Sequence, residues 1–284
     1  MAGFSVSVIV ASYNAGAYSI KRAIDSALQQ REVLVDLVVI DGASTDGTVD
    51  VLQSYASRLG YWESRPDRGI YHAWNKGLAK AQGQWVHFLG ADDEYWDEYA
   101  LARLVNAAGA GEAPLRYGQV VMLRAAGQPL AVLGKPWSLA REGFDKMPFP
   151  HPGVLHRRDL FDRHGGFDES FRIAGDFAWF CKVLPHETAV YVADAPVVAM
   201  SLGGASTHPR QMAKVIAENR RARAENGIAE SRVSPGGKLL EWGTLLAARC
   251  LPEALVGWLV RLYYRQISLP GPLPAALPPA PWRP

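Results

Sequence analysis

The stretch Val6-Ser7-Val8-Ile9-Val10-Ala11-Ser12-Tyr13-Asn14 joins a mainly β-branched apolar run to a set of turn residues. Its first five residues predict a short buried strand. From Ser19 to Gln30 the apolar residues recur at three- and four-residue spacing, which predicts an amphipathic helix. Leu37–Ile40 is a second predicted strand, closed by the turn pair Asp41-Gly42. A strand–helix–strand unit of this length predicts two parallel strands joined by a right-handed crossover.

The same alternation continues to about residue 93. Ser44 or Thr45 can cap a second helix, whose apolar residues extend to Tyr55. A third helix is predicted over about residues 70–81, and a strand at Trp85–Leu89 ends in Gly90-Ala91-Asp92-Asp93. Single helices between strands predict an α/β fold of Rossmann-like type, with a mostly parallel central sheet flanked by helices.

Beyond residue 110 the alternation weakens. Further strands are predicted at 116–123 and 189–193, and helices at 158–164, 176–184 and 209–226. Residues 238–267 are rich in Leu, Trp and Tyr, and Pro252 divides them into two helical pieces. Seven prolines in the last 17 residues predict an extended, disordered tail. We therefore predict a catalytic domain at 1–205, a C-terminal helical extension at 206–267 and a tail at 268–284.

Composition excludes several classes of protein. With 49% hydrophobic and 20% charged residues, the chain of 284 residues can bury a large core, unlike a disordered chain or a coiled coil. A net charge of +2 is far too small for a dedicated nucleic-acid binder. Two cysteines without a CxxC pair favour a reducing compartment. Neither a basic leader nor an uncharged apolar run of membrane-spanning length is evident, so we expect a cytoplasmic location.

Three polar segments follow predicted parallel strands: 11–14, Asp41 and the pair Asp92-Asp93. Ligands of such sheets bind beyond the carboxyl ends of the strands, so these segments should meet at one edge. Two adjacent carboxylates suit Mg²⁺ or Mn²⁺ shared with substrate phosphates, although a solvated turn or a helix cap remains an alternative. Asp41 can equally belong to an ordinary Asp-Gly turn, and Tyr13 can either stack on a base or pack.

Several signatures of other functions are absent from the sequence. No GxGxxG follows a strand, and neither a GxxxxGK[ST] loop nor a GxSxG elbow occurs, which disfavours dinucleotide binding, P-loop chemistry and common hydrolases. The seven histidines lack metal-ligand spacing, and His151 and His156, which flank a loop, are expected to be solvated. The remaining hypothesis is a nucleotide-type domain that handles phosphate through carboxylates and a metal.

Five segments, in order, resemble the motifs of family 2 glycosyltransferases over about residues 5–200. The first four are SVIVASYN at 7–14, VIDGASTDGT at 39–48, PDRGIYHAWNKG at 66–77 and FLGADD at 88–93. The fifth comprises acceptor-side segments at 151–153, 165–169 and 174–176. The resemblance implies a GT-A fold, a nucleotide-sugar donor, Mn²⁺ or Mg²⁺, and inversion at the anomeric carbon.

The resemblance also implies roles for individual residues. Asp93 would be the main metal ligand, Asp92 would contact the metal or the ribose, and Asp176 would be the catalytic base. The other residues implied to bind the nucleotide-sugar are Ala11, Tyr13 (against the base), Asp41, Arg68, Asn75 and Lys76. Many members have a second acidic residue where this chain has Gly42, so the nucleotide stays open, with UDP favoured. Judged without the resemblance, Asp176 is predicted to cap the helix that follows it rather than to act as a base, because aspartate is a preferred N-cap residue.

The predicted function is transfer of a sugar to a hydroxyl of a glycan or lipid-linked acceptor in surface polysaccharide synthesis. The alternatives are a sugar nucleotidyltransferase, which should carry a Gly- and Arg-rich phosphate loop after the first strand, and a non-catalytic scaffold of glycosyltransferase descent. Residues 253–267 project an apolar face that includes Leu255, Val256, Leu259, Val260, Leu262, Tyr263 and Ile267. Such a helix suits the inner surface of a membrane, or packing against the catalytic domain or a second subunit.

Overall fold

The computed structural model describes residues 5–107, 110–124, 127–138, 143–144, 146–202, 208, 211–229 and 233–283. The strands are β1 (Ser5–Ser12), β2 (Leu34–Asp41), β3 (Tyr61–Ser64), β4 (Trp85–Gly90), β5 (Glu94–Tyr95), β6 (Leu115–Leu123), β7 (Pro129–Leu133), β8 (Val154–Arg157) and β9 (Ala189–Ser201). The helices are α1 (Ala17–Leu28), α2 (Thr48–Tyr55), α3 (Ile70–Leu78), α4 (Ala100–Val105), α5 (Asp159–His164), α6 (Gly175–Val183), α7 (Met212–Glu225), α8 (Pro235–Cys250) and α9 (Glu253–Ile267).

The strands form one sheet in the order β3-β2-β1-β4-β8-β6-β9-β5, and β7 pairs with β6. The first four strands are parallel to one another, as predicted. β8 is antiparallel to both β4 and β6, while β6 and β9 run parallel. The predicted α/β class is confirmed, and the sheet as a whole is mixed because the parallel arrangement ends at β4.

Alternate residues of β1 supply two separate cores. Val6, Val8 and Val10 are buried with Ile20 and other residues of α1 on one face of the sheet. Ile9 points to the opposite face, where it joins the core that contains residues of α3, α5 and α6. Because successive side chains of a strand leave opposite faces, a strand covered by helices on both sides is mostly apolar, and the buried Ser7 of β1 is hydrogen-bonded to Asp36 at 2.7 Å.

After β4 the structure departs from the sequence prediction in its short or interrupted strands. β5 and β8 have two and four residues, too few to produce a periodic signal. The strand predicted at 189–193 continues to Ser201, with register shifts of its partner β6 on both sides of the Gln119–Pro196 pair. Proline cannot donate a ladder hydrogen bond, which accounts for an interruption at this point.

Histidines 87, 151 and 156 lie in the core, so the expected solvation of His151 and His156 is wrong. The His151 ring stacks on Phe88, and the ring of His156 lies 5.2 Å from that of His151. Burial lowers the pKa of His87 and of His156 to about 3, and it lowers the pKa of His151 well below its ordinary value. These imidazoles are therefore neutral packing groups at physiological pH.

Between residues 268 and 283 the proline-rich tail has no helix or strand, and its Trp282 is docked, although the composition of the tail predicts disorder. The Trp282 ring is only 7% exposed, and its Nε1 donates to Glu94 Oε2 at 2.8 Å. Nearer α9, the Leu269 amide donates to the Val132 carbonyl at 2.8 Å, so the tail runs beside β7. The predicted domain boundary at residue 205 lies outside the described residues and stays a prediction. None of the described helices is long and apolar enough to cross a membrane.

Candidate active site

The candidate site lies at the edge where β1, β2 and β4 end. Ser12 is in register with Asp41, and Ala11 is in register with Gly90. The backbone of Ala11 therefore lies between the end of β2 and the Asp92-Asp93 segment that follows β4. The sheet thus brings together the three strand-end segments singled out from the sequence.

The loops after β1 and β2 are joined by side-chain to backbone hydrogen bonds. The Asn14 amide donates to Ser44 Oγ at 2.7 Å, and the Thr45 amide donates to Asn14 Oδ1 at 2.9 Å. The Gly16 amide donates to Asp46 Oδ2 at 2.6 Å. Asn14 has a φ of 48°, a left-handed conformation that asparagine tolerates better than most residues. These bonds hold the two loops as one rim of the site.

Asp41 is fully buried beneath this rim and is hydrogen-bonded to it. Its carboxylate accepts hydrogen bonds from the Ser44 amide at 2.9 Å, from Ser44 Oγ, and from Ser64 Oγ at 2.7 Å. The carboxylate is thereby shared between the turn that follows β2 and the end of β3. In this structure Asp41 shapes the floor of the predicted nucleotide site.

Two side chains lie directly against Gly42. A Cβ atom at position 42 would come within 2.9 Å of Asp67 Oδ2 and 3.2 Å of Tyr13 Cδ2. The acidic residue that the resemblance leads one to expect at position 42 would therefore collide with Asp67. The Tyr13 ring is 70% exposed, which leaves most of it open to a ligand. Asp67 was not singled out from the sequence, because only the folded chain brings it onto Gly42.

The Asp92 and Asp93 carboxylates lie side by side over the Gly90 backbone. A Cβ atom on Gly90 would be 2.5 Å from Asp93 Oδ2 and 3.3 Å from Asp92 Oδ1. Asp93 is 5% exposed and accepts a hydrogen bond from the Ser201 amide at 2.9 Å, whereas Asp92 is exposed. This arrangement confines one carboxylate in the interior and presents the other to solvent.

The ionisation of this pair is strongly suppressed. The pKa of Asp93 is raised to about 8, mainly because the side chain is buried and to a smaller extent because Asp92 repels its negative charge. Desolvation also raises the pKa of Asp92, although this side chain keeps contact with solvent. A divalent cation would relieve both effects, so the donor set fits Mg²⁺ or Mn²⁺. The described residues contain no cluster of three or more acidic, His or Cys ligands, so water or substrate oxygens would complete the coordination of such an ion.

Glu94, directly after the pair, is held from two distant parts of the chain. It accepts from Arg22 at 3.0 Å, from Arg283 Nε at 3.0 Å and from Trp282 Nε1 at 2.8 Å. The positive charge of Arg22 also favours ionisation of Asp92 and Asp93. The sequence does not predict these bonds to Glu94, because Trp282 and Arg283 lie in a tail whose composition predicts disorder.

The remaining residues implied to bind the donor are bonded to other protein groups. Asn75 Nδ2 donates to the Phe167 carbonyl at 2.8 Å, and the Phe167 amide donates back to Asn75 Oδ1 at 2.9 Å. Lys76 forms an ion pair with Glu63. Arg68, which is 66% exposed, is paired with Glu169 in the acceptor-side segment. The amide of Asn75 thus locks α3 to the acceptor-side loop, and Arg68 is the most solvent-accessible of the three.

Asp176 lies in the first turn of α6, and the N-cap position belongs to Ala174. Its Oδ1 accepts from the Phe177 amide at 2.8 Å and from Tyr71 Oη at 3.2 Å. Burial raises the pKa of Asp176 to about 6 in spite of these hydrogen bonds. Asp176 thus satisfies a free N–H of the first turn of α6, as a cap would, and a carboxyl group whose pKa lies near neutrality is also suited to proton transfer.

Proteins of similar sequence are named as glycosyltransferases. A sequence model of glycosyl transferase family 2 matches residues 7–129. A PGL/p-HBAD biosynthesis glycosyltransferase of Mycobacterium bovis is 33% identical over 181 residues, which are 62% of this chain and 68% of the relative. A putative teichuronic acid biosynthesis glycosyltransferase, TuaG of Bacillus subtilis, is 40% identical over 93 residues, covering 32% of this chain and 36% of its own.

Solved structures show the same fold. S. aureus TarS 1–349, in complex with UDP-GlcNAc, superposes with a TM-score of 0.59 at 17% identity, covering 97% of each chain. The mannosyltransferase PcManGT of Pyrobaculum calidifontis, in complex with GDP-Man and Mn²⁺, gives a TM-score of 0.58 at 20% identity and covers 92% of this chain and 83% of its own. With these relatives and this GT-A fold, the chain belongs to glycosyl transferase family 2.

Proposed function

We propose that the protein is an inverting, metal-dependent glycosyltransferase that moves a sugar from a nucleotide-sugar to a hydroxyl of a glycan or lipid-linked acceptor. The observation that carries this proposal is the presence of two separate carboxylate sites, the Asp92-Asp93 pair over the backbone of Gly90 and the half-buried Asp176 at the start of α6. A displacement that inverts the sugar needs only a stabilised leaving group on one side and one base on the other. Relatives named for glycolipid and teichuronic acid synthesis support an acceptor of this class.

The donor would lie on the rim formed by the loops after β1 and β2. The exposed Tyr13 ring offers a stacking surface, and the Asp67 carboxylate beside it is a hydrogen-bond acceptor for a base N–H. Neighbouring structures are titled as complexes with UDP-GlcNAc or GDP-Man, which supports a nucleotide-sugar without deciding the base. We favour a UDP-sugar.

The diphosphate would lie toward Asp92 and Asp93, which would hold the cation. When bound, Mg²⁺ or Mn²⁺ supplies Lewis-acid stabilisation to the negative charge that develops on the leaving diphosphate. Asp93 is fixed by the Ser201 amide, and Asp92 reaches solvent, where it can meet a donor. The protein thus offers one rigid and one accessible carboxylate to this part of the reaction.

Asp176 would act on the acceptor. As the acceptor oxygen forms its bond to the anomeric carbon, the bond from that carbon to the diphosphate oxygen breaks. The hydroxyl proton passes to the Asp176 carboxylate, and the nucleoside diphosphate leaves. Tyr71 Oη, 3.2 Å from Asp176 Oδ1, stabilises the ionised form of the base before transfer. No covalent enzyme intermediate is needed.

The test is an assay of nucleoside diphosphate release from a panel of UDP- and GDP-sugars, with Mn²⁺ or with a chelator. We expect release that requires both the metal and a hydroxyl acceptor, and a product whose anomeric configuration is opposite to that of the donor by NMR. A nucleotidyltransferase would instead release pyrophosphate from a nucleoside triphosphate and a sugar phosphate. A scaffold would bind donor without turnover, and either result contradicts the proposal.

We also propose that the C-terminal helices contact the inner face of a membrane. Each helix exposes a Leu, a Trp and a Leu at spacings of three and four residues, which lie on one face of a helix. They are Leu239, Trp242 and Leu246 on α8 and Leu255, Trp258 and Leu262 on α9. Of the apolar face predicted from the sequence, Val256 is buried, and Tyr264, which does not belong to that predicted face, packs against the β6–β7 cluster. Tryptophan favours the interface between water and lipid.

The charges of this surface fit anionic lipid. Lys238, Arg261 and Arg265 are exposed, whereas Glu241 is neutralised by ion pairs with arginines of α7. We expect co-sedimentation with anionic vesicles, and its loss in the double variant Trp242→Ser/Trp258→Ser. Leu34→Ser, at an equally exposed apolar position on β2, is the matched control. If the wild type never co-sediments, the exposed residues serve a partner subunit instead, and a concentration-dependent mass would then be seen.

A further inference from the structure

Glu218 on α7 is a buried carboxylate that collects three consecutive backbone N–H groups. It is 8% exposed. Its Oε2 accepts from the Ile173 amide at 2.8 Å and from the Ala174 amide at 2.9 Å, and its Oε1 accepts from the Arg172 amide at 3.1 Å. Three convergent amides form an anion-binding concavity, here filled by a carboxylate of the same chain.

The three amides belong to the residues that directly precede α6, and Asp176 lies in the first turn of that helix. The first N–H groups of a helix have no partners within it, and Ala174 at the N-cap has no side-chain oxygen to supply one. Glu218, on another helix and 44 residues along the chain, accepts from the amide of the N-cap residue Ala174 itself. Its negative charge also lies at the positive end of the α6 dipole.

Tyr71 of α3 contacts the same segment. The single O–H proton of Tyr71 is shared between two acceptors, the Ile173 carbonyl at 2.6 Å and Asp176 Oδ1 at 3.2 Å. A Cβ atom on Gly175 would come within 2.7 Å of the Tyr71 ring, so the ring and the chain are in close contact there. The position of Asp176 is therefore set by a tyrosine and by the Glu218 carboxylate.

We infer that Glu218 is a positioning residue for Asp176, fixing the backbone that aims the catalytic base at the acceptor hydroxyl. This inference rests on the proposed function for the role of Asp176. Of the ionisable groups that face Asp176, Tyr71 donates a hydrogen bond to it and Glu218 repels its negative charge. Replacing Glu218 should therefore affect both the geometry and the ionisation of the base.

The experiment compares Glu218→Gln and Glu218→Ala with Glu225→Gln, an exposed glutamate of the same helix that pairs with Arg221. We expect turnover to fall about tenfold in the Gln variant, and about a hundredfold in the Ala variant, because a misplacement near 1 Å has effects of this size. Donor affinity measured with Mn²⁺ should stay within about twofold, since the donor site is built on other elements. Glu225→Gln should behave as wild type.

A purely structural role would lower the melting temperature without moving the pH profile. The negative charge of Glu218 raises the pKa of Asp176. In Glu218→Gln that charge is lost, so the fall in transfer rate on the acidic side of the pH–rate profile should occur at lower pH. If Glu218→Gln folds, turns over at the wild-type rate and has the same pH–rate profile as wild type, the inference is wrong.

Hydrogen exchange tests the geometry without any assay of transfer. The amides of residues 172–174 should exchange faster in Glu218→Gln than in wild type, with no change in the Glu225→Gln control. If these amides exchange faster in Glu218→Gln but the wild type turns over no donor, the contact between Glu218 and the amides is supported and the proposed function is contradicted. If these amides exchange as in wild type in both Glu218 variants, the inference itself is wrong.

Discussion

The Asp92-Asp93 pair and Asp176 are both desolvated carboxylate sites, but they are held in different ways. The pair follows β4 directly and lies over the backbone of Gly90, the last residue of that strand. Asp176 is held by Tyr71, which is 105 residues away, and through its preceding loop by Glu218. Asp93 also has a remote partner, the Ser201 amide 108 residues away, but the end of β4 sets the place of the pair. The place of Asp176 depends on the packing of three helices, α3, α6 and α7. A change remote in sequence should therefore disturb Asp176 more easily than Asp93.

Removing the buried carboxylate of the pair should have the largest effect. Asp93→Ala should lower transfer by at least about a thousandfold, since a bound metal contributes several kcal/mol to stabilising the transition state. The fold should persist, because Asp93 has a raised pKa and its neutral replacement removes an unfavourable burial. Rates with Mn²⁺ and with chelator measure this effect, and Asp50→Ala on α2 is the control. Full activity of Asp93→Ala in chelator would contradict a metal role.

Asp176→Asn should have the next largest effect. Loss of a general base costs on the order of 10² to 10⁴ in rate, and asparagine keeps the size and hydrogen bonds of the side chain. The melting temperature and the affinity for donor with Mn²⁺ should stay near those of wild type, which separates this variant from Asp93→Ala. If transfer continues at close to the wild-type rate, the base lies elsewhere. Asp168 and Glu169 in the acceptor-side segment are then the next candidates.

A variant of the docked tail tests whether residues distant in sequence help to place the Asp92 and Asp93 carboxylates. Trp282→Ala should destabilise the protein by about 2–3 kcal/mol, less than for a tryptophan in a rigid core because the tail can detach as a unit. Leu273→Ala, at a more exposed position of the tail, should have little effect on unfolding by denaturant. The affinity for Mn²⁺ should change by less than about threefold if β4 alone places the carboxylates. A large loss of metal affinity would show that the tail helps to form the site.

The smallest expected effect is that of pH on the transfer rate of the wild type, which should fall about tenfold between pH 6 and pH 5. Because the pKa of Asp176 is raised to about 6, the base is ionised above pH 6 and protonated below it. The transfer rate should therefore fall about tenfold for each pH unit below 6, as expected for a required base. A profile that stays flat from pH 7 to pH 5, at saturating metal and donor, would contradict the assignment of Asp176.

The sequence alone predicts the parallel half of the fold and the edge that carries the site. Apolar runs of strand length, followed by helical spacing, are local patterns, and they identify β1, β2 and β4 and the residues at their ends. The family motifs lie in the same segments, so Asp41, Asp92, Asp93 and Asp176 could be named before their geometry was known. Local pattern also predicts that the tail lacks helix and strand, since proline cannot donate a backbone hydrogen bond.

Only the tertiary structure decides which groups partner these residues. Asp67 lies against Gly42, Glu218 binds the loop before Asp176, and Trp282 bonds to Glu94, in each case across a long stretch of chain. The burial of the three core histidines is decided in the same way. The physical reason is that periodicity reports the environment of a residue relative to its own helix or strand. The partner of a side chain depends on how separate elements pack, and no local pattern encodes that.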